Sequence, residues 1–482
     1  MRQSQSIPSW LLVLVVVLLV STTGAAAVVA PSTTGVPMQT IDSCRTIDTP
    51  GAYLLTADIT DAPASGCIEI TADDVQLHGG THLISAGSNT SQSAIVASDV
   101  ADVTVEGFDI VGWQTGVTYT NVDGGHVYGN TFTNITVAAI TLESTSSDVL
   151  ISQNAVTEST TGIRVEDAAG ANVTNNHLTN LTGTGIIVRD SVTESAIHGN
   201  SIENATSGGI ELSKSSRVTV ENNQLDATGG FGIAVTESGH VTLVRNTITN
   251  TAGTGIQIVD TVATRAHDND VSESAFNGIV LDTHNRSVTA SLANALANNT
   301  VTGADNSGIV VTATTNATVH NNTLVDNGDG LRVNASRNST VSNNTVTRSR
   351  DDGIVLIDTF GGTIVGNAVN DNADNGLYLM GDNNTIDGNS FHANGDDGID
   401  VQNARWNEIV NNSIRQNSDD GVFFRNTTLT TVIRNQIHGN ADDGIDLRNS
   451  GRNNIRGNDI YQNGQYAIQE REGSPANEIG DN

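Results

Sequence analysis

The sequence predicts an all-β protein built as a parallel β-solenoid, in which the chain winds through stacked coils of about 23 residues. A glycine followed by an apolar residue recurs at that period, as in Gly398-Ile399, Gly421-Val422 and Gly444-Ile445. Apolar residues alternate with other residues after each glycine, which is the period-2 pattern of a strand. No stretch beyond the N-terminus has the 3.6-residue period of a long amphipathic helix. Together these three observations favour a solenoid made of strands.

The glycine step covers most of the chain. It occurs at Gly116, Gly162, Gly185, Gly209, Gly232, Gly255, Gly278, Gly308, Gly330, Gly353, Gly376, Gly398, Gly421 and Gly444. We therefore predict regular coils over residues 116–466, an N-terminal cap with irregular first coils over 31–115, and a short C-terminal cap over 467–482. Between Gly278 and Gly308 the period grows by about 7 residues. This indicates a corner loop, and such loops gather on the binding face of solenoids.

An asparagine marks a second corner of each coil. Ile409 lies three residues before Asn412 and Ile414 lies two residues after it, which predicts a second and a third short strand. The same asparagine recurs at Asn154, Asn176, Asn200, Asn223, Asn246, Asn269, Asn322, Asn344, Asn367, Asn389, Asn435 and Asn458. Stacked side-chain amides would pair corner backbone groups that no strand reaches. We expect the repeated glycines to supply a tight corner or a positive φ.

These glycine strands and asparagine corners resemble those of the right-handed parallel β-helix superfamily, and within it the secreted, carbohydrate-associated NosD-like proteins. The opening segments 44–55, 67–70 and 75–84 carry a second part of the resemblance. The resemblance implies right-handed coils and contact with polysaccharide. Since the superfamily includes lyases, hydrolases, epimerases and non-catalytic surface proteins, it leaves the activity open.

The NosD resemblance also implies copper, but the sequence offers no ligand cluster for it. The chain has 3 methionines. His198, His267 and His320 fall in one column of the repeat, several coils apart, and His392 and His438 fall in another. Copper sites need imidazole or sulfur ligands that converge on one ion.

Residues 1–30 predict a signal peptide. Arg2 precedes the apolar run 10–20, and Ala25 and Ala27 fit the small-residue pattern of a cleavage site. The run is too short for an ordinary membrane span, although a retained N-terminal anchor is the alternative. We expect an exported monomer, secreted or at the cell surface, with no membrane span after the signal is removed.

The composition indicates a salt-rich setting. The formal net charge is −32, and Lys214 is the one lysine among 21 basic residues. A surface rich in carboxylates stays hydrated in concentrated salt, where screening reduces its self-repulsion, so we expect a halophilic protein. The same charge disfavours nucleic acid as a partner. Sequons such as Asn134 and Asn316 allow glycosylation.

Cys44 and Cys67 are the only cysteines of the chain. In an oxidising compartment they predict a disulfide, with a catalytic or metal-binding pair as the weaker alternative. The bridge would fasten the first coil, where a solenoid needs a cap because its end exposes core and strand edges.

The outward column of the first strands predicts a sugar-binding groove in the last third of the chain. Tyr378 and Phe423 alternate there with Asp400 and Asp446. Aromatic rings pack against sugar faces, and guanidinium groups pair with uronate carboxylates. The candidate ligand-binding residues are Tyr378, Phe423, Arg405, Arg425 and Arg448.

Two acids of this column are also candidate catalytic carboxylates. Asp400 and Asp446 lie two coils apart, roughly 9.6 Å at the spacing of strands, which approaches the separation found in inverting glycosidases. The alternative is that acids at these coils are turn residues first of all.

Acids before the repeated glycines form a candidate cation site. Asp397, Asp420 and Asp443 recur at the same corner. They are turn residues, but stacked carboxylates are also ligands for a hard cation, so we regard Ca²⁺ as a candidate cofactor.

The stretched coil contains a further motif. Its Asp282-Thr283-His284-Asn285 segment resembles the Asp-Pro-His-Asp/Glu motif of mannuronan epimerases at Asp282 and His284, with Thr in place of Pro and Asn in place of the last acid. The resemblance implies catalytic roles for Asp282 and His284. The alternative is a hydrated histidine in a loop.

Two hypotheses for function follow. The first is an exported, non-catalytic β-helix protein that contacts polysaccharide or a surface glycan. The second is a lyase, epimerase or glycoside hydrolase that modifies an acidic polysaccharide along the coils from Asp282 to Asp446.

Overall fold

The computed structural model describes residues 38–63, 65–87, 92–283, 293–471 and 473–482. These residues form a parallel β-solenoid of about 18 coils, which confirms the predicted fold class. The described part contains no helix, and so none long and apolar enough to cross a membrane. The predicted signal peptide over residues 1–30 and the residue His284 lie outside the described residues.

The first sheet stacks the strands of the repeated glycines, one coil upon the next, and continues to both ends of the described chain. Its strands are Arg45–Ile47, Ile68–Ile70, Ser93–Glu106, Thr115–Tyr128, Ala138–Glu143, Thr161–Glu166, Thr184–Arg189, Gly208–Ser213, Phe231–Thr236, Thr254–Val259, Ile279–Asp282, Ser307–Thr312, Asp329–Asn334, Ile354–Phe360, Leu377–Asp382, Ile399–Gln402, Val422–Arg425, Ile445–Arg448 and Ile468–Glu470.

The second sheet stacks the strands that end before the asparagine corner. Two long strands, Ser93–Glu106 and Thr115–Tyr128, run through both the first and the second sheet. The other strands of the second sheet are Gln39–Ile41, Gly51–Leu55, Val75–His78, Leu150–Ser152, Asn172–Thr174, Ala196–His198, Thr219–Glu221, Thr242–Val244, Arg265–His267, Ala295–Ala297, Thr318–His320, Thr340–Ser342, Thr363–Val365, Thr385–Asp387, Glu408–Val410, Thr431–Ile433, Asn454–Arg456 and Glu478–Gly480.

The third sheet stacks the strands that follow the asparagine. They are Ile59–Ala62, Leu83–Ala86, Asp109–Val111, Thr131–Thr133, Ala155–Thr157, His177–Leu181, Ser201–Ala205, Gln224–Asp226, Thr247–Thr251, Asp270–Ser274, Thr300–Thr302, Thr323–Val325, Thr345–Thr347, Ala368–Asn370, Ser390–His392, Ser413–Arg415, Gln436–His438 and Asp459–Tyr461. The three strands per coil that the sequence predicts are therefore present.

One continuous core fills the space between the sheets. Inward residues such as Ile399, Val401 and Ile414 are fully buried, and each stacks on the equivalent residue of the next coil. In the early coils larger side chains fill the same space. Trp113 is buried there, and its indole Nε1 donates a hydrogen bond to the carbonyl of Ile84 (3.1 Å). Aligned β-branched and aromatic residues thus hold the coils together by burial of apolar surface.

The repeated glycines are required by close packing. A Cβ atom at Gly398 would lie 2.4 Å from Ile414 Cγ2 and 2.6 Å from the carbonyl oxygen of Gly421. None of the repeated glycines within the described ranges has a positive φ. The expectation of a tight corner is confirmed, and the positive-φ alternative is wrong. The glycine lies so near the third strand of its own coil and the repeated glycine of the next coil that no side chain fits there.

The asparagine corner is a continuous ladder of hydrogen bonds. Asn412 Nδ2 donates to Asn435 Oδ1 (3.0 Å) and to the Ile386 carbonyl (2.8 Å), while Asn412 Oδ1 accepts from the backbone N–H (2.8 Å) and from Nδ2 (3.0 Å) of Asn389. The same bonds extend along the column from Asn130. The predicted ladder is confirmed. It pairs buried backbone groups at a corner where the strands do not pair them.

A second amide ladder stands at the exit of the third strand, and the sequence analysis did not identify it. Asn394 Nδ2 donates to Asn417 Oδ1 (3.0 Å), and Asn417 Nδ2 donates to Asn440 Oδ1 (2.9 Å). All three side chains are buried. Two of the corners of these coils are therefore closed by stacked amides.

The N-terminal coils carry the predicted disulfide. Cys44 and Cys67 are bonded, with Cα atoms 4.4 Å apart and a sequence separation of 23 residues. The bridge joins the first sheet's strands Arg45–Ile47 and Ile68–Ile70 at their starts, since each cysteine directly precedes one of them. It fastens neighbouring coils at the end of the solenoid.

The stretched coil keeps the register of the stack. Ile279 pairs with Ile309, so the coil between them has 30 residues where its neighbours have about 23. The additional residues include 284–292, which lie outside the described ranges.

Replacing Asn412 with Ala tests the ladder. The backbone N–H and Nδ2 of Asn389 lose their acceptor, and the Ile386 carbonyl loses a donor. We expect the free energy of unfolding, measured by urea titration, to fall by about 3 kcal/mol, because buried unpaired groups are costly. The exposed Gln436→Ala serves as control and should change it by less than about 0.5 kcal/mol. Equal curves for both variants would contradict the ladder's role.

Candidate functional site

A polar groove follows the corner that leads into the first sheet. Between the coils of Asp305 and Asp351 it encloses about 620 Å³ and is lined by these two acids together with Asp329, Arg332 and Arg350. We call it the corner groove. The floor consists of the residues that directly precede the repeated glycines, such as Asp329. One wall consists of residues two positions before a repeated glycine, such as Asp351. The other wall consists of outward residues of the first strands, such as Arg332.

In the coils that follow the groove, the residues before the repeated glycines are stacked acids and one amide, which we call the inner row: Asp352, Asn375, Asp397, Asp420 and Asp443. Each Oδ1 accepts the backbone N–H of the next member, for example Asp397 from Asp420 (2.9 Å) and Asp420 from Asp443 (2.8 Å). Asp397, Asp420 and Asp443 are 4%, 1% and 0% exposed. The expected turn role of these three acids is confirmed, because they pair the corner backbone of the next coil.

Burial makes ionisation of the inner-row carboxyl groups energetically unfavourable. Desolvation raises the pKa of Asp397 to about 9 and that of Asp420 and Asp352 to about 7, and neighbouring carboxylates add to the rise. The pKa of Asp443 is raised for the same reason. Near neutral pH Asp397 therefore retains its proton, and Asp352 and Asp420 are partly protonated, unless a cation lies beside them.

A second row of acids lies directly outside the first. This outer row comprises Asp351, Asp374, Asp396, Asp419 and Asp442. Carboxylate oxygens of the two rows, and of Asp329 one coil before Asp352, come within 4.8 Å of one another in three groups. The groups are Asp329 with Asp351 and Asp352, Asp396 with Asp397 and Asp419, and Asp419 with Asp420 and Asp442. Oxygen ligands of this kind suit a hard cation such as Ca²⁺. Asp443, one of the three predicted ligands, belongs to none of these groups within the described part of the chain.

The outward column of the first strands is less exposed than the sequence analysis expected. Tyr378 is half-buried, but Asp400, Phe423 and Asp446 are 6%, 6% and 0% exposed. The guanidinium carbons of Arg425 and Arg448 lie 5.2 and 4.7 Å from the centre of the Phe423 ring. The expectation that these three side chains face solvent is wrong, because long arginine side chains cover the strip.

Asp446 is held by two arginines. Its carboxylate accepts from Nε of Arg448 (2.7 Å) and from Nε of Arg471 (2.9 Å). Phe423 pairs with Asp400 on one side and with Asp446 on the other, so the predicted separation of two coils is confirmed. A carboxylate fully buried beneath two guanidinium groups is engaged as an ion pair and is poorly placed to take a proton from a substrate.

Asp400 has a different environment. Burial raises its pKa to about 6. Its Oδ2 accepts from Gln402 Nε2 (2.7 Å), while its buried Oδ1 has no hydrogen-bond partner among the described residues. Tyr378 is its neighbour one coil earlier, and burial together with the Asp400 charge raises the pKa of Tyr378. A carboxyl group with this pKa can exchange a proton near neutral pH.

Two other predicted residues that the structure describes, Arg405 and Asp282, do not line the corner groove. Arg405 lies beyond the other end of its first strand, where Nε donates to Asp382 Oδ2 (3.0 Å). Its guanidinium covers the ring of Trp406, which is 50% exposed and which the sequence analysis did not single out. Asp282 ends the strand Ile279–Asp282 and pairs with Thr312, while His284 lies outside the described residues. The catalytic roles implied for Asp282 and His284 stay a prediction.

Comparison with known protein families identifies the class of this solenoid. Residues 64–202, 145–295 and 353–482 match the model described as "Right handed beta helix region". These matches cover well over half of the sequence, so the chain belongs to the right-handed β-helix family.

A second model gives a narrower likeness. Residues 227–372 match the model described as "Periplasmic copper-binding protein (NosD)", which supports the NosD-like resemblance. No curated protein sequence matches the chain.

Several solved structures are similar to this chain at low identity. The A-module of a mannuronan C-5 epimerase from Azotobacter vinelandii is 17% identical, with 80% of this chain and 91% of that chain covered and a TM-score of 0.38. A surface adhesin of Streptococcus pneumoniae is 13% identical over 64% of this chain and 85% of its own, with a TM-score of 0.41. A periplasmic alginate epimerase is 13% identical over 69% and 77%, with a TM-score of 0.39.

The donor atoms present do not fit the copper that the family description names. Copper centres use imidazole nitrogen and thiolate or thioether sulfur. Both cysteines are bonded to each other. Within the described ranges, the three groups of converging metal-ligand side chains contain aspartates alone. These groups suit a hard cation and not copper.

From the buried acids of the inner row we predict that the stability of the fold falls as the pH rises. The pKa of Asp397 in the folded protein, about 9, lies above that of an unfolded aspartate. As the pH rises above about 4, the unfolded chain releases this proton first, so the stability contributed by Asp397 falls until the pH passes about 9.

Asp397→Asn should remove this loss. Asparagine retains the acceptor oxygen, as Asn375 shows by accepting the Asp397 N–H (3.2 Å). In the presence of a chelator we expect the variant to be more stable than the wild type by about 2 kcal/mol at pH 8 and nearly equal at pH 4. The exposed Asp371→Asn is the control. A variant less stable than the wild type at pH 8 would overturn this interpretation.

Proposed function

We propose that this chain is an exported, non-catalytic β-helix protein that binds polysaccharide along the corner groove. The main support for this proposal is the groove, which has a volume of about 620 Å³ and in which guanidinium and carboxylate groups alternate. Arg332 Nη1 donates to Asp329 Oδ2 (3.0 Å), and Arg350 Nη2 lies 3.6 Å from Asp305 Oδ1. Such pairs present donors and acceptors side by side, as sugar hydroxyl groups require.

The repeat of the coils supports an extended ligand. Strands of neighbouring coils lie about 4.8 Å apart, which is close to the length of one sugar residue in an extended polysaccharide. Tyr378, a half-buried aromatic ring, lies two coils further along the same outward column as Arg332. Successive coils would then contact successive sugars.

Calcium belongs to this proposal as a bridging ion. The oxygens of the inner and outer rows converge in three groups, and a cation there would offset their charge. It would also allow an anionic polysaccharide to approach a protein whose formal net charge is −32. Binding is therefore to be measured both with calcium and with a chelator.

A binding screen tests the first function. Purified protein is applied to immobilised neutral, uronate and sulfated polysaccharides. We expect at least one to bind. We expect Arg332→Ala and Tyr378→Ala to weaken that binding at least fivefold, since Arg332 lines the groove and Tyr378 lies in the same outward column two coils further on. Gln436→Ala, on the third sheet, should bind as the wild type does. Undiminished binding by both groove variants would exclude this groove.

An enzyme acting on acidic polysaccharide is the second candidate, and Asp400 favours it. Its pKa of about 6 and its unpartnered Oδ1 are properties of a general acid or base. Incubation with uronate polymers, followed by assays for unsaturated products, reducing ends and epimer ratio, separates the two functions. If turnover occurs, Asp400→Asn should abolish it while leaving polysaccharide binding intact. The non-catalytic proposal predicts no product in any of the three assays.

A further inference from the structure

A second recess opens on the second sheet and uses none of the corner-groove residues. It encloses about 640 Å³. Its walls come from three consecutive coils, through the strands Arg265–His267, Ala295–Ala297 and Thr318–His320. We call it the histidine recess. Its volume lies in the range of clefts that bind small ligands.

The recess exists because the middle coil contributes two small residues. Ala295 pairs with Arg265 above and Thr318 below, and Ala297 pairs with His267 above and His320 below. The flanking strands are two coils apart, roughly 9.6 Å. Because the middle strand has only methyl side chains at these two positions, a slot about one sugar ring wide is left between the larger polar side chains of the flanking strands.

The side chains of Arg265 and His320 in the recess are available to a ligand. Arg265 is exposed, and neither it nor His320 forms an ion pair or a side-chain hydrogen bond with the described residues. Thr318 and the exposed amides of Asn298 and Asn316 also line the recess. A free guanidinium group matches the planar oxygen pair of a carboxylate or a sulfate, and the amides and hydroxyl suit sugar hydroxyls.

His267 is oriented by its neighbour. Its Nδ1–H donates to Asp268 Oδ2 (2.7 Å), and this hydrogen bond lowers the pKa of Asp268. Asp268 therefore stays ionised and keeps the proton on Nδ1. The other ring nitrogen, Nε2, is left as the polar atom that His267 can offer to a ligand.

We infer that the histidine recess binds the anionic group of an acidic sugar, a carboxylate or a sulfate ester, with Arg265 as its main contact. The inference goes beyond the proposed function, because the recess lies on another sheet and has no residue in common with the corner groove. In a chain with a formal net charge of −32, an unpaired arginine beside two histidines is a local exception. It gives an anionic ligand a place to bind on an otherwise repulsive surface.

Isothermal titration of the full chain at low salt tests this site. The probes are a galacturonate trisaccharide, glucose 6-sulfate and neutral maltotriose. We expect at least one anionic probe to bind at least tenfold more tightly than maltotriose. A preference between the two anionic probes tells carboxylate from sulfate ester as the group recognised.

Paired variants locate the binding. Arg265→Gln and Ala295→Leu should each weaken the preferred probe at least tenfold, the first by removing the charge and the second by filling the slot. Arg217→Gln, an exposed arginine on the same sheet's corner, is the charge control. Ala196→Leu, at the position of Ala295 in an earlier coil, is the steric control. Both controls should bind the probe as the wild type does.

Three results would overturn the inference. The first is that maltotriose binds as tightly as the anionic probes. The second is that Arg265→Gln and Ala295→Leu leave the affinity unchanged. The third is that no sugar binds, while Cu²⁺ binds the wild type and does not bind the His320→Gln variant. That result would assign the two imidazoles to a metal site.

Discussion

The structure depends on the pairing of buried polar groups between neighbouring coils at the corners. Strands pair the backbone along each sheet, but the chain must turn between sheets, and there its N–H and carbonyl groups are buried without a strand partner. Asn412 solves this for its own coil by donating to Asn435 and to Ile386, and by accepting twice from Asn389. The same residue serves from Asn130 onward because the corner keeps its register in each coil, even across the 30-residue coil, where Asn269 Nδ2 donates to Asn299 Oδ1 (3.0 Å). The ladder therefore depends on the register of the corner and not on the length of the coil.

The candidate site follows from the same constraint. At the corner before the first sheet, aspartate takes the place that asparagine holds at the other corners, and its Oδ1 performs the same pairing, as between Asp397 and Asp420. The substitution keeps the hydrogen bond but adds a charge that burial makes unfavourable, which raises the pKa of Asp397 to about 9. A scaffold position thereby becomes a place where protons or cations bind. The groove in the preceding coils, lined by Arg332 and Arg350, has Asp329 at the same corner position.

Much of the fold was predictable because it follows from the local periodicity of the sequence. The glycine step, the strands and the ladder around Asn412 each recur within about 23 residues, so the sequence alone places them. The exposure of the side chains in the candidate site was not predictable in the same way. The cover over Phe423 depends on how Arg425 and Arg448 orient, and a repeat pattern does not determine side-chain conformation. The histidine recess needs the register across the 30-residue coil, which sets Ala297 between His267 and His320.

Hydrogen exchange at the corner amides tests the central claim most directly. The account predicts that the backbone N–H groups of Asn389, Asn412 and Asn435, which donate to side-chain oxygens of the next coil, exchange as slowly as the amides of the buried strand residues beside them. Amides at corners without such bonds should exchange faster. If these three amides exchanged as fast as those of exposed turns, the ladder would not hold the coils together, and the account would be contradicted.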